Sequence, residues 1–256
     1  MPSTIVIADL HLSETTPEIT KCFIQFLQKN AGKHEALYIL GDLFETWIGD
    51  DDNSDFYNLI AAAIRQFSRT CPVYFIHGNR DFLLGKKYAQ KAGMVLLPES
   101  QQVELYGKRI LFMHGDQLCL DDDYQKFRRK SRTWWWKFIF TSLPLKFRKK
   151  TVANYRAQSV EAQKSKSLEI MDVAQREVER VVAKAQCDWL IHGHTHRPAI
   201  HELTQPNSHK KQSDDAPLQD QTGPLRMVVG DWYEQGSVLE LNENGYKLQS
   251  LPFKNV

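Results

Sequence analysis

Apolar residues along this chain cluster in short unbroken runs, and each of the strongest runs ends on a polar group able to hold a cation. The runs are Thr4-Ile5-Val6-Ile7, Ala36-Leu37-Tyr38-Ile39-Leu40, Val73-Tyr74-Phe75-Ile76, Ile110-Leu111-Phe112-Met113 and Trp189-Leu190-Ile191. Runs of this length, rich in β-branched and aromatic residues, predict strands buried on both faces. Helical patterns follow the first three at residues 17–30, 55–70 and 81–92. Strands alternating with helices predict βαβ units up to residue 123.

The pattern then changes. Residues 103–114 read as a hairpin turning at Tyr106-Gly107-Lys108, and further strands are expected at 199–203, 227–229 and 238–241, so a second, mixed sheet is predicted. From 121 to 185 the strand signal vanishes and helical patterns dominate, with Pro144 the one strong breaker. The reading is an α/β (α+β) fold: a core of residues 1–120 and 186–256, and a helical cap inserted at 121–185. Residues 204–224, polar with three prolines, are expected to be a flexible loop.

With 256 residues, 42% of them hydrophobic, the chain can bury a full core. Its four cysteines are scattered, which suggests neither a zinc knuckle nor a disulfide framework and fits a reducing compartment. No basic stretch leads into an apolar segment at the N-terminus, and no segment reaches the roughly 18 apolar residues of a membrane span. A cytoplasmic protein is expected. The net charge of +2 conceals an asymmetry: residues 124–160 hold eleven Lys and Arg and no acid, leaving 22 basic against 31 acidic residues elsewhere. That segment should face something anionic.

The ends of the strand runs carry the chemistry: Ala8-Asp9-Leu10-His11, Gly41-Asp42-Leu43-Phe44-Glu45, Gly78-Asn79-Arg80-Asp81, His114-Gly115-Asp116 and Gly193-His194-Thr195-His196. Taken singly, each is a strand-end turn or a helix cap. Five in succession, all at the carboxyl ends of strands, predict donors converging on a two-metal hydrolase site. Carboxylate, amide and imidazole donors suit Mn²⁺, Fe²⁺, Mg²⁺ or Zn²⁺, and the choice among them stays open. Asp81, Asp116 and Glu45 sit close enough in sequence to orient those donors. Cys119 reads as a packed thiol, and His201 and His209 as surface histidines.

These five blocks, D-x-H, G-D-x-x-[DE], G-N-[HR]-[DE], H-G-D and G-H-x-H, resemble those of the calcineurin-like metallophosphoesterase superfamily, over Asp9 to His196. The resemblance implies a four-layer β-sandwich of two mixed sheets flanked by helices. It implies one metal on Asp9, His11, Asp42 and His196 and another on Asp42, Asn79, His114 and His194, with Asp42 bridging both and holding the attacking water. Two Mn²⁺ are expected, other divalent ions being able to substitute. Many members have His after the Asn of the third block, where it protonates the leaving group; this chain has Arg80. Arginine cannot act as an acid near pH 7 but stabilises charge as a P–O bond breaks. A phosphate anhydride, whose leaving group is a weak base, is therefore the expected substrate.

The insert brackets Trp134-Trp135-Trp136-Lys137-Phe138-Ile139-Phe140 with the basic clusters 128–132 and 146–150. Such a segment suits an anionic membrane surface, and equally suits packing of the insert on the core. A grip on single-stranded nucleic acid is disfavoured because no repeated stacking platform is present, and no obligate protein partner is evident.

Further strings narrow the resemblance: 39–45, Trp47-Ile48-Gly49-Asp50-Asp51-Asp52, 77–85, 165–168 with 170–173, and 192–198. They resemble the bacterial pyrophosphatases of lipid A biosynthesis, which act on a lipid-linked UDP-sugar. That resemblance implies attack of water on the α-phosphorus of UDP-2,3-diacylglucosamine, giving UMP and 2,3-diacylglucosamine 1-phosphate at the cytoplasmic face of the inner membrane. It also implies an insert that sheathes the acyl chains. The family's substrate contacts fall on Asn79, Arg80, Asp122, Ser159, Lys166 and His194, with Arg156 an addition and Gln163 standing where the family commonly has Asn. Two alternatives remain: another phosphoesterase of the same chemistry, and a non-enzymatic scaffold on the same fold.

Overall fold

The computed structural model describes residues 2–164, 173–203 and 223–253, with side chains throughout except at 156–164. Two mixed sheets face one another. In the first, β1 (Ser3–Ile7), β2 (Ala36–Ile39), β3 (Val73–Phe75) and β4 (Met94–Leu96) run parallel. The antiparallel hairpin of β10 (Gln235–Asn242) and β11 (Gly245–Pro252) joins it beside β1. The second has the order β5-β6-β7-β9-β8, formed by β5 (Ser100–Leu105), β6 (Lys108–Met113), β7 (Trp189–His192), β9 (Leu225–Val228) and β8 (Ala199–Glu202).

The unbroken apolar runs follow from this layering, since successive side chains of a strand point to opposite faces. In β1 and β2, Ile5, Ile7, Leu37 and Ile39 pack outward against α1 (Pro17–Asn30), α2 (Asp55–Phe67) and α3 (Lys86–Ala92). Val6, Tyr38 and Leu239 point inward and meet Ile110, Phe112, Trp189 and Ile191 of the second sheet. On the far side, Leu111, Met113 and Leu190 receive Val178 and Val182 of α7 (Gln175–Ala185). The result is four layers, helix–sheet–sheet–helix. Every strand that ends near a donor is apolar on both faces because both faces are covered.

Several boundaries differ from expectation. The helix expected from residue 81 begins at Lys86, because the Asp81 carboxylate accepts the backbone N–H groups of Gly78 at 2.9 Å and Leu43 at 2.8 Å and holds 81–84 in a turn. The second helix stops at Phe67 rather than 70, where the Thr70 hydroxyl donates to the Phe67 carbonyl. Strands β4 and β11 were not anticipated. The former is three residues long, and in the latter Tyr246, Leu248 and Leu251, which pack half-buried on the two cores, are separated by polar residues and make no apolar run.

Between β6 and β7 lie α4 (Asp122–Ser131), α5 (Trp134–Ser142) and α6 (Leu145–Lys164), then α7. Trp136 stacks on the buried Phe140 at 4.8 Å, whereas Trp134, Phe138 and Ile139 are exposed, so α5 both packs inward and presents an apolar outer face. Not all the basic residues face out. Arg128 and Arg132 pair with Asp116 and Glu99, and the fully buried Arg148 bonds the Leu143 and Ile48 carbonyls and Asp51. These arginines attach the insert to the core.

Gly41, with φ +89°, takes β2 into the second donor block; a Cβ there would collide with the backbone of Gly78 and lie 2.9 Å from His114 Nδ1. We expect Gly41→Ala to cost about 2 kcal/mol or more in urea unfolding, with both the strain and the clash contributing. Unchanged stability would mean that the 41 and 78 turns can separate freely.

Candidate metal centre

Among the described residues, seven non-glycine residues have φ above zero, and five of them are donors predicted from sequence: Asp9, His11, Asp42, His194 and His196. Left-handed backbone is costly for such residues and persists only where surroundings impose it. Here the imposing bonds are visible. The His194 N–H donates to Asp9 Oδ2 at 2.7 Å, the Arg80 N–H to Asp42 Oδ1 at 2.8 Å, and the Asp9 and His11 N–H groups to the carbonyls of Gly41 and Asp42. Each turn aims its side chain into the seam between the sheets.

At that seam the donors gather in two overlapping groups, Asp9 with His11 and His196, and Asp9 with Asp42 and His114. The two Asp42 oxygens point to opposite sides, Oδ2 lying 3.9 Å from His11 Nε2 and Oδ1 3.8 Å from His114 Nε2. Asn79 Oδ1 sits 2.9 Å from His114 Nε2 and 3.0 Å from His194 Nδ1. All seven predicted donors are thus brought together.

The protonation pattern fits a cation. His114 Nδ1–H donates to the Leu40 carbonyl at 2.8 Å, so its Nε2 presents a lone pair to the Asn79 oxygen, acceptor against acceptor. His11 Nδ1 lies 3.0 Å from Glu45 Oε2 and His196 Nδ1 3.0 Å from Asp231 Oδ2. Carboxylates there favour a proton on each Nδ1 and leave the two Nε2 atoms facing one another at 3.2 Å. Asp9 Oδ1 is buried without a hydrogen-bond partner. A positive ion between these atoms satisfies all of them, so the residues fit a divalent metal.

The carboxylates agree. Burial and the neighbouring Asp42 push Asp9 well above the usual range, and the same two causes raise Asp81 to about 7. Burial also works to raise Asp42, but His114, His11 and the Arg80 amide and guanidinium outweigh it and hold the group below its ordinary value. Burial, then His114, lowers His194 to about 4, keeping it neutral as a ligand must be.

Other expected residues have different placements. Asp116 serves the insert: its Oδ2 accepts Tyr124 Oη, Arg128 Nε and Arg132 Nη2 at 2.7–2.8 Å. Arg80 stands beside Glu45 at 4.0 Å, its Nε buried without a partner. Asp122 lies exposed in the first turn of α4. The side chains of Arg156, Ser159, Gln163 and Lys166, and His209, fall outside the described residues.

Three residues at the site, Asp231, Trp232 and Tyr233, went unread in the sequence. Trp232, fully buried edge-on against Phe23 and Phe26, fixes Asp231 beside His196 on one side and stacks Tyr233 on His11 at 5.1 Å and 8° on the other. The signal was present: Met227-Val228-Val229-Gly230-Asp231 repeats the apolar-run-then-Gly-Asp pattern of residues 37–42.

The chain belongs to the calcineurin-like phosphoesterase family, whose sequence model matches residues 2–198; the family binds divalent metal. Within known relatives, a protein of Escherichia coli O7:K1 named UDP-2,3-diacylglucosamine hydrolase is 49% identical over 253 residues, which is 98% of this chain and 100% of that protein. The protein of the same name from Shigella boydii serotype 18 is similar to the same extent. The solved structure of Yfce, a phosphoesterase from Escherichia coli, is 14% identical with a TM-score of 0.45, covering 99% of this chain and 94% of that one.

Since Asp9 holds a proton in the metal-free protein well above the usual carboxylate range, a cation must displace it. Affinity should therefore grow with pH. Mn²⁺ is expected to raise the melting temperature more at pH 7.5 than at pH 5.5, with protons released in calorimetry at the lower pH; an increment equal at both would show that Asp9 is already ionised.

Proposed function

We propose that this chain hydrolyses the pyrophosphate bond of UDP-2,3-diacylglucosamine, a lipid-linked UDP-sugar, to UMP and 2,3-diacylglucosamine 1-phosphate in lipid A biosynthesis. The observation that carries the reading is the 49% identity, over essentially the whole of both chains, to proteins named for hydrolysis of that compound. The gathered donor set supports it. Asp9, His11, Asp42 and His196 would hold one ion, and Asp42, Asn79, His114 and His194 the other. Two Mn²⁺, or other divalent ions in their place, would supply Lewis-acid polarisation of the phosphoryl oxygens and lower the pKa of water.

In this reading the oxygen of water bonds to the α-phosphorus, and the bond from that phosphorus to the bridging oxygen breaks. The sugar 1-phosphate leaves with the electron pair. A phosphate monoester has a second pKa of about 6, so it departs at neutral pH without a protonating group. Arg80, tied through its backbone to Asp42 and with a buried unpartnered Nε, stabilises the charge gathering on the leaving phosphate. Asn79, His194, Asp122, Arg156, Ser159, Gln163 and Lys166 would make the remaining substrate contacts.

The insert serves the lipid. Leu12, Ile48, Phe56, Tyr57 and Val152 line an open cavity of about 420 Å³ between the core and α6, beginning beside Glu45, and this supports the view that residues 121–185 cap the site and cover acyl chains. Among the described residues no helix is long and apolar enough to cross a membrane. The exposed Trp134, Phe138, Ile139 and Phe147, neighboured by the exposed Lys146 and Lys150, suit peripheral attachment to the anionic cytoplasmic face of the inner membrane, where each basic residue adds about 1 kcal/mol.

Hydrolysis in ¹⁸O-water with Mn²⁺ should place the label in UMP, stop with chelator, and largely fail when the sugar carries no acyl chains. Label in the lipid phosphate would overturn α-attack, and equal turnover of the deacylated compound would make the protein a general nucleotide-sugar pyrophosphatase. Separately, the double variant W134S/F138S should pellet less with vesicles containing phosphatidylglycerol while hydrolysing detergent-dispersed substrate normally. Undiminished pelleting would place the membrane-facing surface elsewhere.

A further inference from the structure

Two of the donor turns come from different sheets. Gly78-Asn79 follows β3 of the six-stranded sheet, and His114-Gly115-Asp116 follows β6 of the five-stranded one. Their donors, Asn79 Oδ1 and His114 Nε2, meet 2.9 Å apart across the seam. One side chain of the insert spans both turns. Arg132, closing α4 and only 8% exposed, donates through Nη2 to the Gly78 carbonyl at 2.9 Å and to Asp116 Oδ2 at 2.8 Å. Through Nη1 it donates to Glu99 Oε1 at 2.9 Å, and its guanidinium lies 5.7 Å from the centre of the Phe82 ring.

We propose that Arg132 is a positioning residue that fixes the separation of Asn79 and His114, and so sets the affinity for the cation in that half of the site. The inference rests on the reading of those two residues as metal donors. Gly78 is the residue next to Asn79, and Asp116 is two beyond His114, so one planar guanidinium holds the frame of both donors from the side of the insert. The bond to the Gly78 carbonyl is what distinguishes it. Arg128 shares Asp116 and Glu99, but its other bond goes to Gln117. From the core side the same turn is held by Asp81, through the Gly78 N–H. The 77–81 turn is thus gripped at its N–H by the core and at its carbonyl by the insert.

Charge and position make opposite predictions. Arg132 is a cation beside a cation site, so by charge alone its removal relieves repulsion and tightens metal binding. By position, its removal frees the Gly78-Asn79 turn, and losing such an outer partner typically weakens metal affinity about 10- to 100-fold. The sign of the change separates the two.

The test is direct Mn²⁺ titration, by calorimetry and by the electron paramagnetic resonance of free Mn²⁺, of the unsubstituted chain, R132Q, R132K and R128Q. Melting curves in chelator select variants that keep the fold, and R132K, which retains the charge, stands in should R132Q not fold. The expected result is weaker Mn²⁺ binding in R132Q and R132K, by about tenfold or more, with R128Q close to the unsubstituted chain. On UDP-2,3-diacylglucosamine at limiting Mn²⁺, kcat should fall and KM hold. Binding in R132Q as tight as, or tighter than, in the unsubstituted chain overturns the proposal, as does an equal loss in R128Q, which would make the network a support for the insert alone. Absence of Mn²⁺ binding by the unsubstituted chain would instead overturn the donor reading itself.

Discussion

Three carboxylates, Asp9, Asp42 and Asp81, are buried together at the seam of two sheets, and the rest of the structure answers to that. Burying one unpaired carboxylate costs several kcal/mol even after relaxation, and like charges side by side add to it. The chain compensates with backbone. Asp81 takes N–H groups from Gly78 and Leu43, Asp42 takes that of Arg80, and Asp9 that of His194. To present those N–H groups the chain must turn sharply at strand ends, which is why the left-handed conformations collect there. The oxygens left over on Asp9 and Asp42 face the imidazoles of His11, His114 and His196, where a bound cation would answer them. Strain, burial and metal chemistry are one constraint seen at three scales.

Much of this was legible in the sequence because both determinants are local. An unbroken apolar run means a strand covered on both sides, and a donor directly after it must lie at the strand's carboxyl end. Two features together, burial and position, therefore place Asp9, His11, Asp42, Asn79, His114, His194 and His196 at one edge of the sheets. What escaped depends on contacts distant in sequence. Tyr233 stacks on a ring more than two hundred residues away, and Trp232 reads as an ordinary core residue until Phe23 and Phe26 enclose it. The late start of α3 was hidden for a similar reason, since Asp81 looks like a helix cap and instead ties its own turn, at Gly78, to the distant turn at Leu43.

The charge asymmetry of the insert was visible in the composition, but its division was not. From sequence, 128–132 reads as one basic cluster. In three dimensions Arg128 and Arg132 turn inward to Asp116 and Glu99, at spacing i, i+4 on one face of α4, while Arg129 and Lys130 on the other side are exposed. Helical periodicity separates the two faces, but nothing local says which of them meets an acid. Arg148 repeats the lesson in α6, fully buried beside the exposed Lys149 and Lys150. Some of the positive charge thus builds the molecule, and the remainder is left for whatever lies outside it.

The seam has a consequence for how the molecule comes into being. His11 and His196, whose ring nitrogens lie 3.2 Å apart, are separated by 185 residues, and His114 and Asn79 meet only when both sheets have docked. No fragment of the chain contains the site. Pairings this remote form late in folding, after their loop-closure entropy has been met. A bound ion then stabilises only the finished protein, and its whole binding free energy counts toward keeping the two ends of the chain together. The ion that serves chemistry would also act as the last fastening of the fold, and its supply would govern how long a newly made chain survives.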